Sequence, residues 1–220
     1  MRLNKYIALY SDLSRRKADE AIDEGRVVVN RATAVQGMIV SSKDRVFLDK
    51  KLLIAVAKKP SIVLLHKPVG YVCSKDGQGS PTVYDLLQKG MQSLNVAGRL
   101  DKDSSGLVVM TDDGQLMQEL THPTNDKEKI YIVELSTPLA DGMVAKLANG
   151  VDISDNRLSK LMVIPQPAPN TYQVSIHEGR NRQIRRSFEA IGHHVVNLHR
   201  TQLGPYQIDN LAPKQFKVAS

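Results

Sequence analysis

The sequence predicts an α+β protein in two units, and three observations carry that prediction. Residues 1–48 set two segments of helical period ahead of two short β-branched runs. Residues 49–60 hold four lysines and end in Pro60, which reads as a linker with a short strand or helix inside it. Residues 61–220 then interleave apolar strand-like runs with short helical segments, enough for a second and larger core.

Within 1–48, Leu3, Ile7 and Tyr10 fall on one helical face. Ser14 is placed to cap a second helix whose Ala18, Ala21 and Ile22 face a core, and Gly25 ends it. Val27-Val28-Val29 and Arg45-Val46-Phe47-Leu48 are the strands. Arg2, Lys5, Arg15, Arg16, Lys17 and Arg26 gather at one end of this unit. Three of them open the second helix, where cations oppose the helix dipole. A phosphate backbone at that helix start makes sense of the arrangement.

The second unit begins with the buried run Ser61–Leu65 and a Pro/Gly turn at His66-Lys67-Pro68-Val69-Gly70, with Tyr71–Ser74 as a partner strand. Thr82–Lys89 reads as helix. Gly77-Gln78-Gly79-Ser80 is too short for a nucleotide fingerprint and joins no strand to a helix. Gly98-Arg99-Leu100-Asp101-Lys102-Asp103-Ser104-Ser105-Gly106 is a glycine-bounded loop running into the apolar strand Leu107–Met110. Such a loop either merely connects, with Asp101 as a turn residue, or holds a carboxylate and a guanidinium for chemistry on a rigid support. Gln115–Leu120 is helical, and Lys129–Leu135 alternates with Tyr131, Val133 and Leu135 on one face. Ala140–Ala148 is a helix stopped at Asn149-Gly150, and Leu161–Ile164 and Tyr172–Ile176 are strands. In Glu178-Gly179-Arg180-Asn181-Arg182-Gln183-Ile184-Arg185-Arg186, Asn181 is placed to cap a helix burying Ile184, Phe188 and Ile191. Its arginines read equally as a solvated face tied by Arg185–Glu189 pairing or as a surface for phosphate or carboxylate. His199–Tyr206 adds a final strand and turn.

Composition bounds the function. No apolar run approaches the roughly 20 residues that span a bilayer. Arg2, Asn4, Lys5 and Asp12 break any signal-peptide core, and Cys73 is alone, so a reducing cytoplasm is expected and membrane association is not. The formal charge of +7 is uneven, with 13 Lys and Arg against 7 Asp and Glu in residues 1–60 but 5 against 7 in 61–120. A basic head and tail around a near-neutral middle suit a polyanion gripped at two places, although solubility alone also calls for charge. The six histidines and one cysteine show no metal spacing, and neither a nucleophile elbow nor a P-loop is present. No metal or cofactor is expected, which leaves carboxylate, tyrosine and arginine to carry any chemistry.

These motifs carry a resemblance. The segments Met1–Ala8, Ser14–Ala18 and Glu24–Asn30 resemble the RNA-binding domain of a small-subunit ribosomal protein, departing from it at Asn30-Arg31 where Asn-Gly is usual. Taken with Gly98–Asp101, Ser104–Gly114, Lys129-Ile130-Tyr131, Glu178–Arg186, Arg200 and Leu203-Gly204, almost the whole chain resembles the ribosomal RNA pseudouridine synthases of the RsuA/RluB/RluE/RluF type. The resemblance implies an N-terminal RNA-binding domain over 1–48 and a catalytic domain over 61–220, of mixed, mainly antiparallel sheet flanked by helices. It implies isomerisation of a flipped-out uridine with Asp101 as nucleophile, bonding to the sugar or stabilising charge there. Tyr131 then stacks on the base and helps remove the carbon-5 proton, and Arg185 pairs with Asp101 to keep it ionised and oriented. Arg99 contacts the RNA, Arg182 lies on the RNA-facing side of its helix, and Leu203 packs on the base. Tyr131 and Leu203 also read as plain core. The expected partner is ribosomal RNA or an assembling subunit, met by a monomer.

Two other functions compete: a non-catalytic RNA-binding or assembly factor, and a glycosidic hydrolase using Asp103 as second carboxylate. Within the synthases, Tyr71–Ser74 and Asp112-Asp113-Gly114 resemble the small-subunit enzyme, whereas Asn181–Arg186 resembles the large-subunit enzymes and tips the expected target to large-subunit rRNA.

Overall fold

The computed structural model describes residues 1–54 and 60–219 and divides into two compact units, Met1–Lys59 and Pro60–Ser220. Each has its own core.

In the first, α1 (Leu3–Tyr10) and α2 (Arg15–Asp23) pack through Leu3, Ile7, Ala18, Ala21 and Ile22 onto Val27 and Val46. Ser14 caps α2 by accepting from the Lys17 amide, as its position predicts. At the other end Gly25 takes φ +71°, and the Gly25 and Arg26 amides bond back to the Ile22 and Ala21 carbonyls, a Schellman stop. The sheet runs β2-β1-β3-β4, all antiparallel, from β1 (Val27–Val29), β2 (Ala32–Thr33), β3 (Val46–Leu48) and β4 (Lys51–Leu52). Two-residue turns close both hairpins. Asn30 and Arg31 (φ 49° and 78°) make one, and Asp49 and Lys50 (φ 49° and 67°) the other, each with both central residues left-handed as such turns require. Arg31 thus adopts the conformation of the glycine usual there. Residues 49–52 belong to this sheet rather than to a linker, and the remainder of the expected linker, 55–59, lies outside the described residues.

The second unit is a nine-stranded sheet, ordered β13-β5-β7-β11-β8-β10-β9, with β6 on β7 and β12 on β11. The strands are β5 (Ile62–Lys67), β6 (Asn95–Ala97), β7 (Ser105–Thr111), β8 (Lys129–Leu135), β9 (Met162–Pro165), β10 (Thr171–Ile176), β11 (Val195–Leu203), β12 (Tyr206–Gln207) and β13 (Phe216–Ala219). Pairing is antiparallel except between β7 and β11, which run parallel through His199/Ser105 and Arg200/Gly106. Helices α3 (Gly114–Thr121), α4 (Met143–Asn149) and α5 (Gln183–Glu189) complete the unit. The mixed, mainly antiparallel α+β class is as expected. Alternation sorts the side chains: Val63, Leu65, Val108, Met110, Tyr131 and Val133 join one core cluster, while Leu64, Leu107, Val109 and Leu203 join another.

Several local expectations fail for identifiable reasons. Tyr71–Ser74 is no strand; Val72 makes one bridge to Thr82, because Pro81 has no amide to extend a ladder. The Thr82–Lys89 helix shrinks to a single 3₁₀ turn, Val83–Leu86, started by a Thr82/Asp85 capping box. Asn181 does not cap α5. Arg182 occupies that position with φ 46°, and the buried Gln183 side chain turns back to accept from the Arg180 amide.

Candidate active site

The loop between β6 and β7 enters at Gly98 and leaves at Ser104, and other segments hold nearly every residue of it. The Gly98 carbonyl accepts from Arg200 Nη2 at 2.6 Å, and the Leu100 amide donates to Cys73 Sγ at 3.4 Å. The Lys102 carbonyl takes the Gly70 amide at 2.8 Å, while Lys102 Nζ donates to Ser80 Oγ at 2.9 Å. Arg185 Nη2 donates to the Asp103 carbonyl at 2.8 Å, and Lys67 Nζ to that of Ser104 at 2.5 Å. Leu100, 8% exposed, anchors the loop in the core. Arg99 and Asp101 instead line a cavity of about 630 Å³, a ligand-sized space.

Three buried or half-buried cations therefore fasten the backbone of this loop. Arg200 is 1% exposed and also donates from Nε to the Leu107 carbonyl at 2.8 Å. It can pass so close to β7 only because residue 106 is glycine: a Cβ there would lie 2.2 Å from the Arg200 carbonyl oxygen. Lys67 is fully buried, and burial lowers its pKa from the ordinary lysine value. Cys73, also lining the cavity, has its thiol pushed up by burial.

The arginines of 180–186 divide into two pairs. Arg180 bonds the Arg157 and Leu158 carbonyls at 2.7 and 3.1 Å and Glu178 at 2.8 Å; Arg186 bonds Asp155 and the Ile153 carbonyl. This pair clasps the 153–158 segment. Arg182 and Arg185 turn to the loop. Arg182 grips Asp103 through two bonds, 2.9 and 3.2 Å, and its Nη1 lies 3.6 Å from Asp101 Oδ2. Arg185 donates to the Val195 carbonyl at 2.9 Å and brings Nε to 3.4 Å from Asp103. Burial would raise the Asp103 pKa, but the Arg182 bonds and the Arg185 charge outweigh it and hold the carboxyl below the usual range.

The expected residues are thus brought together, with altered partners. Tyr131, 7% exposed on β8 beside Arg200, lines the same cavity as Asp101, Arg99 and Arg182. Arg185 faces Asp103, not Asp101, and makes no pair with Glu189; Arg182 stands next to Asp101. Leu203 is fully buried beneath Gly98, 3.2 Å from where a Cβ would sit, and does not line the cavity; Ile184 does. Asp101 and Asp103 reach one shared guanidinium, so they do not flank a bond from two sides as the hydrolase reading needs.

The sequence does not single out Lys67, offers Arg200 only as part of the resemblance, and offers Asp103 only as a hydrolase's second carboxylate. Parity could have found the first two, since Lys67 continues the inward Val63/Leu65 alternation and Arg200 that of Leu198. In the first unit Arg2, Lys5, Arg15, Arg16 and Lys17 are exposed as expected. Arg26 is different: it forms a two-bond pair with Asp49, both 2.7 Å, and another with Glu24. Its charge is already met. Among the described residues no group of three or more His, Cys, Asp or Glu could hold a metal ion, and no helix is long and apolar enough to cross a membrane.

Comparison with known proteins follows the same division. Residues 61–190 match the family described as RNA pseudouridylate synthase, and residues 1–46 match the S4 domain. The chain is 38% identical to the ribosomal small subunit pseudouridine synthase A of Escherichia coli (strain K12), covering 99% of this chain and 95% of that protein. It is 35% identical to the protein of that name from Yersinia pestis, covering 99% and 94%. A solved structure described as a pseudouridylate synthase superposes with a TM-score of 0.72 at 32% identity, covering 100% of this chain and 96% of that one. None of these relatives supports the expected large-subunit target. From the pinned Asp101 loop to the full-length likeness, the chain belongs to the RNA pseudouridylate synthase family, isomerases acting on RNA.

Proposed function

We propose that the chain converts a uridine of small-subunit ribosomal RNA to pseudouridine, with Asp101 as the nucleophile. The target class rests on the relatives, which are named for the small subunit. The role of Asp101 rests on one observation: its neighbours in the loop are bonded in place while its own carboxylate is 41% exposed on the cavity. A nucleophile held still on a rigid frame, yet open to substrate, is what the reaction requires.

The uridine swings out of its stack into the cavity. Asp101 acts on the anomeric carbon, by bonding to it or by countering its charge, as the bond to nitrogen 1 breaks. The freed uracil turns and rejoins through carbon 5, whose proton then leaves with the help of Tyr131. Atoms balance, because the same base returns to the same sugar. Ile184 and Tyr131 offer the base an aliphatic and an aromatic face. Arg99 and Arg182 meet neighbouring phosphates. The exposed Arg2, Lys5, Arg15, Arg16 and Lys17 of the S4 unit add a second grip on the rRNA or assembling subunit.

The test is a pseudouridine map of both rRNAs in cells with and without the chain, repeated with Asp101→Asn. We expect one small-subunit position to depend on the wild-type chain and to be lost in the variant, while RNA affinity changes little. Undiminished modification by Asp101→Asn would remove the nucleophile assignment, and a dependent large-subunit position would overturn the target.

A further inference from the structure

Among the described residues, the buried side-chain polar atoms that find no hydrogen-bond partner are Ser104 Oγ and Arg185 Nε. Arg185 Nε faces the Asp103 carboxylate at 3.4 Å, and its residue does not line the cavity. Ser104 is 1% exposed and does line it, beside Asp101. A buried hydroxyl without a partner has lost its hydration for nothing in return, which calls for an explanation in a native site. We propose that the Ser104 hydroxyl is a catalytic hydrogen-bond donor to the uracil carbonyl oxygen next to the glycosidic bond. That oxygen is the 2-oxo group in uridine and the 4-oxo group in pseudouridine. The inference rests on uridine reacting in this cavity at Asp101.

Place, charge and the engagement of other donors favour that oxygen. The Ser104 amide donates to the Asp101 carbonyl at 3.2 Å, so one tight turn carries both side chains. Asp101 acts at the anomeric carbon, and the 2-oxo group sits on the ring carbon next to the departing nitrogen. When the bond from nitrogen 1 to the sugar breaks, its electron pair leaves with the base. The resulting uracil anion shares its charge between the 2-oxo and 4-oxo groups. Behind Ser104, Lys67 Nζ donates to the Ser104 carbonyl at 2.5 Å and to that of Pro68 at 3.0 Å. Lys67 and Arg200 are both buried. A hydroxyl backed by buried cations suits an oxygen that gains charge better than it suits the neutral 2′-hydroxyl of the sugar.

Other donors on the cavity wall are occupied. Lys129 Nζ is held by the Lys127 and His177 carbonyls at 3.0 and 3.3 Å, and Arg200 by the Leu107 and Gly98 carbonyls. A serine hydroxyl moves among three staggered positions about Cα–Cβ, which lets it turn to the base as the base arrives. It then serves both halves of the reaction. Turning uracil about the axis through nitrogen 3 and carbon 6 exchanges nitrogen 1 with carbon 5 and the 2-oxo with the 4-oxo group. One donor thus meets the oxygen beside the bond that breaks and, later, the oxygen beside the bond that forms. No proton leaves Ser104, so atoms and electrons balance as in the isomerisation itself.

The assay is single-turnover conversion at saturating RNA, read by nucleoside chromatography. The substrate is rRNA, bare or in the assembling particle, whichever the wild-type chain converts, ligated to carry uridine or 2-thiouridine at the modified position. Ser104→Ala is expected to slow conversion of uridine by about 100-fold, the scale of one donor to an oxygen that becomes negative, with RNA Kd unchanged. Its melting temperature should hold or rise, because an unpartnered hydroxyl adds nothing to the fold. Sulfur is a weak acceptor, so on 2-thiouridine the loss caused by Ser104→Ala should shrink to about 10-fold or less. Ser104→Cys, of similar size with only a weak donor, should follow Ser104→Ala, and its losses on the two substrates decide if Ser104→Ala does not fold. A wild-type rate in Ser104→Ala overturns the proposal. So does an equal loss on both substrates, the result if the hydroxyl serves Asp101 or the sugar instead of the base. Asp101→Asn separates the two readings, because conversion that survives there sinks the nucleophile itself. An inactive Asp101→Asn beside a fully active Ser104→Ala sinks only the role of Ser104.

Discussion

The cations of the two units carry the same charge and do opposite work. In the S4 unit Lys5, Arg16 and Lys17 are exposed and form no ion pair among the described residues. They keep their hydration and counterions, which a bound polyanion can release. In the catalytic unit Lys67 and Arg200 are buried against backbone carbonyls, and Arg180 and Arg186 close on a neighbouring segment. Those charges have already exchanged water for protein oxygens, so they shape the site instead of gripping RNA. A count of 30 Lys and Arg therefore overstates the cations that RNA can meet, and Arg26 shows that the division runs by pairing as well as by unit.

The hardest way to break this contrast is to spoil the close approach that buried Arg200 depends on. Gly106→Ala sets a Cβ about 2.2 Å from backbone oxygen at φ 111°. It should cost roughly 3–5 kcal/mol or prevent folding of the catalytic unit, read by chemical denaturation. Next, Arg180→Ala should lower stability by about 2 kcal/mol, because it leaves the Arg157 and Leu158 carbonyls short of a donor, yet leave the salt dependence of RNA binding unchanged. The exposed set should behave in reverse. Replacing Arg15, Arg16 and Lys17 with Gln should hold the melting temperature and flatten the slope of log K against log salt by about 2, whereas Arg26→Gln should leave that slope alone. An equal response to both changes would erase the distinction between paired and free cations.

The smallest effect concerns pH. Burial lowers the Lys67 pKa in the folded chain, so the unfolded chain binds that proton more tightly. Lys67 thus contributes a stability deficit that is full below its folded pKa and disappears as pH rises to the ordinary value of 10.5. Over that window wild-type stability should rise with pH relative to Lys67→Met. A constant difference between the two denaturation series across the window would show that Lys67 is not held against its charge.

Local features were legible because their causes are local. The Ser14 cap, the Gly25 stop and the inward parity of Tyr131 each depend on residues a few positions apart. Asp101 was legible through the resemblance of its whole loop, not through spacing. Asn181 failed as a cap because Gln183, buried by contacts with Ser159 and Glu178, competes for the same turn. Leu203 was expected at the base, but a bulge in β11 between Arg200 and Gln202 helps decide which face it meets.

By itself the sequence determined the α+β class, the two units, the family and the loop that carries the reactive carboxylate, since periodicity, caps and contiguous motifs are written within short stretches. Tertiary structure alone decided which charges meet. Arg182 and Asp103 are 79 residues apart, and Arg200 and Gly98 are 102 apart. No period links such positions. Only the sheet order, with β11 parallel to β7, sets the buried arginine under the loop and leaves Asp101 facing the cavity.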